Sequence, residues 1–306
     1  MVKQKYGKLR KKENRNFYLY ISPWLTGLTL FTVIPLLMSL YFSFTNVVMS
    51  SALDGSHNFI FFDNYVRIFT RDHDFITSIG NTFIYTICKV VFTTVFALIF
   101  ALIFNSSIFA KKLDRVLVYL PAIIPVVSVA LLWQMLFTGG ETNIMNYFLS
   151  KIGFKAIDFF GSNSSAMSTV IFVGVWSGIG PSMLILLAAL QNVPSDLIEA
   201  ATIDGAGPIS KFFNITLPMI SSSIYFISLT GVIGGLQAYA EIKLLTNGGP
   251  GIATTTMNML IVSNAFNTLG NKTLGYASAQ GWVVFAITLV FTIIYLKVSS
   301  KRVYYE

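Results

Sequence analysis

The chain has 306 residues, of which 54% are hydrophobic and only 11% charged, with a mean hydropathy of +0.69. A soluble domain carries about 25% charged residues, so the composition points to a membrane protein. The single cysteine, Cys88, excludes an internal disulfide and a cysteine metal cluster, and a net charge of +8 raises nucleic acid as a partner only until its distribution is considered.

Residues 1–16 form a basic tail in which Lys3, Lys5, Lys8, Arg10, Lys11, Lys12 and Arg15 face Glu13 alone. The tail resembles the start of a signal peptide, but the apolar run behind it is too long and lacks a small-residue cleavage site. It reads as a retained cytoplasmic tail beside anionic head groups. Apolar runs follow at about 17–44, 76–104, 116–137, 168–190, 216–240 and 276–298. Each is near the roughly 20 residues a membrane-spanning helix needs. The expected fold is therefore an all-α membrane protein with six transmembrane helices: a tail over 1–16, then a transmembrane domain over 17–306. Pro35, Pro121, Pro125 and Pro181 lie in or near these spans, where membrane helices tolerate kinks.

The charges between spans set an orientation. One side collects the tail, Lys111, Lys112, Arg115, Lys211, Lys297, Lys301 and Arg302, fourteen basic residues against six acidic; the other side has six basic against seven acidic. The positive-inside rule then puts both termini and the 194–218 loop in the cytoplasm. The positive charge follows topology, so no nucleic-acid partner is expected.

The loops on the other side are longer, at about 46–75, 138–167 and 241–275. The first holds FIFFDNYVRIF (59–69), an amphipathic piece suited to the membrane surface. His57 and His73 share this polar loop and fall short of a zinc ligand set. The last opens with LLTNGGPG (244–251), whose Asn-Gly and Gly-Pro pairs are turn chemistry. It reads either as a plain turn or as a structured loop at the outer mouth of a path.

Lys89 lies inside the second span, where a charge is costly. Snorkelling to the interface or a structural pair is favoured over transport chemistry. In the fifth span Gly231, Gly234, Gly235 and Ala238 form a smooth face with G-x-x-x-G spacing. Helix packing is the plainer reading, and room for a bulky solute is the other. Gln237, Tyr239 and Glu241 follow on the same segment and offer hydrogen bonds. In the fourth span Trp176, Gly178, Gly180 and Pro181 form a kinked region with an aromatic ring, which suits a sugar face or an interfacial belt. No phosphate-binding G-x-x-x-x-G-K-[ST] run and no H-E-x-x-H or G-x-S-x-G signature is present, so no catalytic residue is assigned.

The most informative stretch is EAATIDGAGPISKFFNITLP, residues 199–218. Asp196 is positioned to cap a first turn, with Glu199 at capping-box spacing. Gly205, Ala206, Gly207 and Pro208 then break that helix, and a second starts at Pro208 and runs through Phe212 and Phe213 to Ile215. Small residues before a bend and aromatics after it suit docking, or simply a link between two spans. Glu199, Ala200, Ala201, Asp204, Gly205, Ala206, Phe212, Ile215, Leu217 and Pro218 fall where the EAA loop of the membrane subunits of ATP-binding-cassette (ABC) importers has its motif, and the stretch resembles that loop. The first span, the DNYVRIF piece, RVLVYLPAIIPVVSVALLW and LLTNGGP are similar to carbohydrate-type ABC permeases.

The resemblance implies a type I importer fold in a bacterial cytoplasmic membrane. It also implies a heterodimer with a second permease, two cytoplasmic ATPases that hold the ATP and Mg, and an extracytoplasmic solute-binding protein. This chain would hold no cofactor and no metal. The 194–218 loop would be a coupling helix inserting into the ATPase. Solute contacts would fall on the fourth and fifth spans, at Trp176, Gly178, Pro181, Gly231, Gly234, Gly235, Gln237, Ala238 and Tyr239. The fifth-span face is smaller here than in the maltose-transporter relative, and that relative's extra N-terminal spans are absent. A type I permease for peptide, amino acid or phosphate is the nearest competitor. An ion-coupled transporter or an intramembrane enzyme would need acids or paired catalytic groups within the spans, and these are lacking.

Overall fold

The computed structural model describes residues 16–52, 54, 57–105, 112–138, 142–266 and 273–299. The basic tail, Lys111, Lys301 and Arg302 lie outside them. The described residues are mostly helical, with no strand beyond an isolated Thr45–Phe59 bridge. Four helices are long and apolar enough to cross a membrane: α1 (Asn16–Ser43), α3 (His73–Asn105), α7 (Asn163–Gln191) and α13 (Leu274–Ser299).

The other two expected spans are broken. The third consists of α4 (Lys112–Ile123) and α5 (Val126–Phe137), bent by 101°. Pro125 causes the break: its ψ of 139° is extended, and a proline also drives the residue before it out of helical geometry. Pro121, by contrast, stays inside α4. The fifth consists of α9 (Pro208–Met219) and α10 (Ser221–Leu236), bent by 62°. It ends at Leu236, and Tyr239, with φ −144° and ψ −62°, turns the chain into α11 (Ala240–Thr246). Gln237, Tyr239 and Glu241 therefore do not continue the fifth span, contrary to the sequence expectation. Nor does Pro181 break the fourth, since it sits within an uninterrupted α7.

The chain divides into two compact units, the first comprising residues 1–67 and 264–282, the second residues 68–263 and 283–306. In the first, the FIFFDNYVRIF piece supplies the start of α2 (Asp63–Thr70). Phe61 and Phe62 are exposed, whereas Asn64 is buried and its amide donates to the carbonyls of Ser43 and Thr45 at 2.9 Å. Gly275 lies so close to this turn that a Cβ would sit 2.2 Å from the Thr45 carbonyl oxygen.

In the second unit α3 and α7 form the central pair. At one end Ala97, Ala101 and Phe104 pack with Met183, Leu186, Leu187 and Leu190. At the other, Tyr85, Trp133, Phe137, Val170 and Val173 pack with Ile242 and Leu245. Small residues let the backbones close up, which drives helix association where lipid removes the hydrophobic effect. Outward-facing Ile87, Val91, Phe92, Val95 and Ile99 of α3 remain exposed, as expected of a surface solvated by lipid. The 138–167 and 241–275 loops contain helices of their own, α6 (Ile144–Lys151), α11 and α12 (Met257–Phe266).

Candidate coupling loop and membrane cavity

The 194–218 loop is two helices at a bend. The first, α8 (Ser195–Ile203), has Pro194 at its N-cap with no side-chain cap. Asp196 is therefore in the first turn rather than at the cap, and its carboxylate accepts from Ser195 Oγ at 3.3 Å. The proline explains the difference, because its fixed φ suits the residue entering a helix. The helix ends in paired bonds, Gly205 N–H to Thr202 O (3.1 Å) and Ala206 N–H to Ala201 O (2.8 Å). This is a Schellman cap, which requires a left-handed residue, and Gly205 takes it with φ +81°. Pro208 opens α9 at its first position, and a π-helical turn covers Phe212–Thr216. Lys211 Nζ donates back to Thr202 Oγ1 at 3.1 Å, tying the two arms together.

Glu199, Ala200, Asp204 and Gly205 are exposed, while Ala201, Ala206, Ile215, Leu217 and Pro218 are half-buried. Phe212 and Phe213 meet edge to face at 5.0 Å, with Phe213 the exposed partner. Two residues missed in the sequence are more exposed still: Ile203 at 88% and Ile209 at 75%, on either side of the bend. The periodicity of α8 alone does not set which side carries a partner.

A second feature lies between α3, α4, α5, α7 and α11: a cavity of about 440 Å³ lined by Lys89, Pro121, Ala122, Ser177, Pro181 and Glu241 among others. Lys89 Nζ donates to Glu241 Oε1 at 3.1 Å, and Tyr85 Oη donates to the same oxygen at 2.9 Å. Lys89 is thus half of an ion pair, as the structural-pair reading expects. Its partner, 152 residues away in sequence, was out of reach of any local pattern. Gly174 makes room for the pair, because a Cβ there would sit 2.6 Å from Tyr85 Oη.

Of the solute-path candidates, Pro181 lines this cavity. Trp176 instead packs edge to face on Trp133 at 5.2 Å. Gly178 faces Thr93, and Gly231 and Gly235 seat α10 on Val90 and Thr86 of α3, where a Cβ would come within 3.0 and 2.7 Å. Gly234 meets nothing within 4 Å. Ala238 is buried and its carbonyl accepts from Thr256 Oγ1 (2.8 Å), while the Gln237 carbonyl accepts from Asn258 (2.8 Å). Tyr239 packs partly buried against the Trp133 cluster.

The LLTNGGPG stretch is a structured loop. Asn247, Gly248 and Gly251 take positive φ, Thr254 and Thr255 hydroxyls donate to the Gly249 and Gly248 carbonyls, and Asn81 of α3 donates to the Ile252 and Thr255 carbonyls.

A helical bundle with broken spans, an exposed bent loop at one end and an intramembrane cavity is the build of a membrane permease. Residues 93–303 match the family model described as binding-protein-dependent transport system inner membrane component, and the chain belongs to that family. The probable ABC transporter permease protein YesP of Bacillus subtilis is 36% identical over 97% of this chain and 94% of its own length. The trehalose/maltose transport system permease protein MalF of Thermococcus litoralis is 32% identical over 96% of this chain and 97% of its own. Among solved structures, a bacterial alginate ABC transporter, in complex with an alginate pentasaccharide-bound periplasmic protein, aligns with a TM-score of 0.78 at 25% identity, covering 96% of this chain and 98% of that one.

Proposed function

We propose that the chain is the membrane-spanning subunit of an ATP-driven importer that carries a sugar or oligosaccharide delivered by an extracytoplasmic binding protein. The observation that carries the importer reading is the exposed apolar bend at Ile203, Gly205, Ile209 and Phe213. The sugar reading is supported by the names of two of these proteins, a trehalose/maltose permease and an alginate transporter. In this reading both termini and the bend face the cytoplasm, in a bacterial cell membrane. A second permease, two ATPases holding ATP and Mg, and the binding protein complete the assembly.

Closure of the ATPases draws on this bend and on its counterpart in the second permease. The force enters α9 and α10 through the bonded turn, and α10 is seated on α3 by glycine contacts at Gly231 and Gly235. Motion of the loop is thereby transmitted to α3, which carries Lys89 into the cavity wall. The glutamate of the bend, Glu199, pairs with a basic residue on the ATPase. No bond in the solute is made or broken by this chain.

The test is uptake of labelled maltotriose, raffinose, xylotriose, trigalacturonate, glycerol phosphate and a tripeptide in cells with and without the gene. Loss of saccharide uptake on deletion is the expected result. Normal entry of every saccharide, with loss of the peptide or the phosphate instead, would replace the sugar reading while leaving the permease reading intact.

A further inference from the structure

We propose that the cavity beside the Lys89–Glu241 pair admits an uncharged saccharide, and that this pair is the element that binds its hydroxyls. The inference rests on the sugar-import reading and narrows it. At about 440 Å³ the cavity is within the roughly 300–1,000 Å³ usual for small-molecule sites. Its wall is mostly aliphatic and proline, which suits the C–H faces of a sugar ring. Lys89 and Glu241 are the only charged residues in that wall among those described, and they face each other at 3.1 Å.

Both ends of the pair remain one quarter exposed, Lys89 at 24% and Glu241 at 25%. An ammonium group carries three donors, of which Glu241 takes one, and a carboxylate offers several acceptor positions, of which Lys89 and Tyr85 share a single oxygen. The pair therefore presents donors and an acceptor side by side, the pattern that neighbouring sugar hydroxyls match. Ser177, whose hydroxyl donates to the Val173 carbonyl at 3.1 Å, presents a further acceptor in the same wall.

An acidic saccharide fits poorly. Its carboxylate would meet Glu241 at close range or displace it from Lys89, leaving an uncompensated charge in a partly buried site, which is strongly unfavourable. The cavity thus favours neutral sugars over uronates, and it separates this chain's solute from the alginate of its structural neighbour.

The test uses the complete importer, purified with its partner subunits and held with ATP on a hydrolysis-dead ATPase. Equilibrium binding of labelled maltotriose, raffinose, xylotriose and trigalacturonate is measured. At least one neutral trisaccharide should bind and trigalacturonate should not. Lys89→Met and Glu241→Gln should each weaken the neutral ligand by roughly tenfold or more, the size of a lost charge-assisted hydrogen bond. Glu241→Gln, which leaves the ammonium unmatched, should also gain trigalacturonate binding, a change that a merely structural pair would not produce. Trigalacturonate binding to the wild type, or neutral binding unchanged in both variants, overturns the proposal and leaves sugar import standing. So does an absence of saccharide binding by an importer that carries sugar into cells. If no saccharide binds and none enters cells through this gene, the sugar-import reading falls and the proposal with it. Should a variant fail to assemble, Lys89→Arg keeps the charge but redirects the donors. Neutral binding should then weaken several-fold, and unchanged binding would overturn the proposal.

Discussion

Replacing Gly205 with valine should abolish solute uptake while leaving the protein in the membrane at its normal amount, and Gly205→Asn should retain most of the uptake. The contrast follows from the geometry of the bend. A Cβ at Gly205 would meet nothing within 4 Å, so the obstacle is not crowding. It is the φ of +81°, which the Schellman cap requires. A side chain forced into that region costs about 1–2 kcal/mol, most for a β-branched residue, whereas asparagine visits it readily. The bend itself is exposed, so a cost of that size redirects it without unfolding the bundle. Ile203 and Ile209 would then no longer lie on either side of one rigid turn. Uptake by radiolabel and membrane amount by immunoblot decide the matter. Normal uptake by the valine variant, or equal loss in both, would contradict the role given to the bend.

A large stability effect should come from Gly180. A Cβ there would sit 2.7 Å from the Val118 carbonyl oxygen and 2.8 Å from the Tyr119 Cα, both backbone atoms of α4. No rotamer change relieves such a contact, so α4 and α7 must separate. Gly180→Ala should destabilise the protein by about 2 kcal/mol or more, near the upper range for overpacking, and bulkier residues should remove it from the membrane. Two other glycines calibrate the result. Gly178→Ala presses on the Thr93 methyl at 3.1 Å and should cost less, and Gly234→Ala, with nothing within 4 Å, should be close to neutral. Thermal unfolding of the purified variants measures all three. A Gly180→Ala protein as stable as the Gly234→Ala one would show that the α4–α7 approach is not tight.

The long spans were legible in the sequence because lipid imposes length and composition on a crossing helix. The expected 76–104 and 276–298 runs became His73–Asn105 and Leu274–Ser299. The glycine break at 205 and the helix start at Pro208 were equally legible, since each rests on a local backbone rule. The breaks within the third and fifth spans were not. Pro121 and Pro125 look alike in sequence, and only tertiary context keeps one inside a helix while the other ends it. The turn at Tyr239 carries neither glycine nor proline, so nothing marked the end of α10. The cavity pair was invisible for a different reason: Lys89 was conspicuous, but Glu241 reaches it only once α11 packs against α5 and α7. The same limit applied to the fifth-span glycines, whose division between the α3 contact and open space depends on the helix's rotation. Rotation likewise hid Ile203 and Ile209, whose exposure is set by how α8 and α9 lie on the bundle.

The central claim is that the bend over 194–218 seats on a cytoplasmic ATPase. A photo-crosslinking amino acid at Ile203, the most exposed apolar side chain of the bend, tests it in intact cells. Illumination should yield a covalent adduct with an ATP-binding-cassette subunit, identified by mass spectrometry, and a control at Ile99, exposed on the spanning helix α3, should not. Adducts at Ile203 to lipid or to the extracytoplasmic binding protein, with no ATPase adduct, would contradict both the docking role and the cytoplasmic placement of the loop.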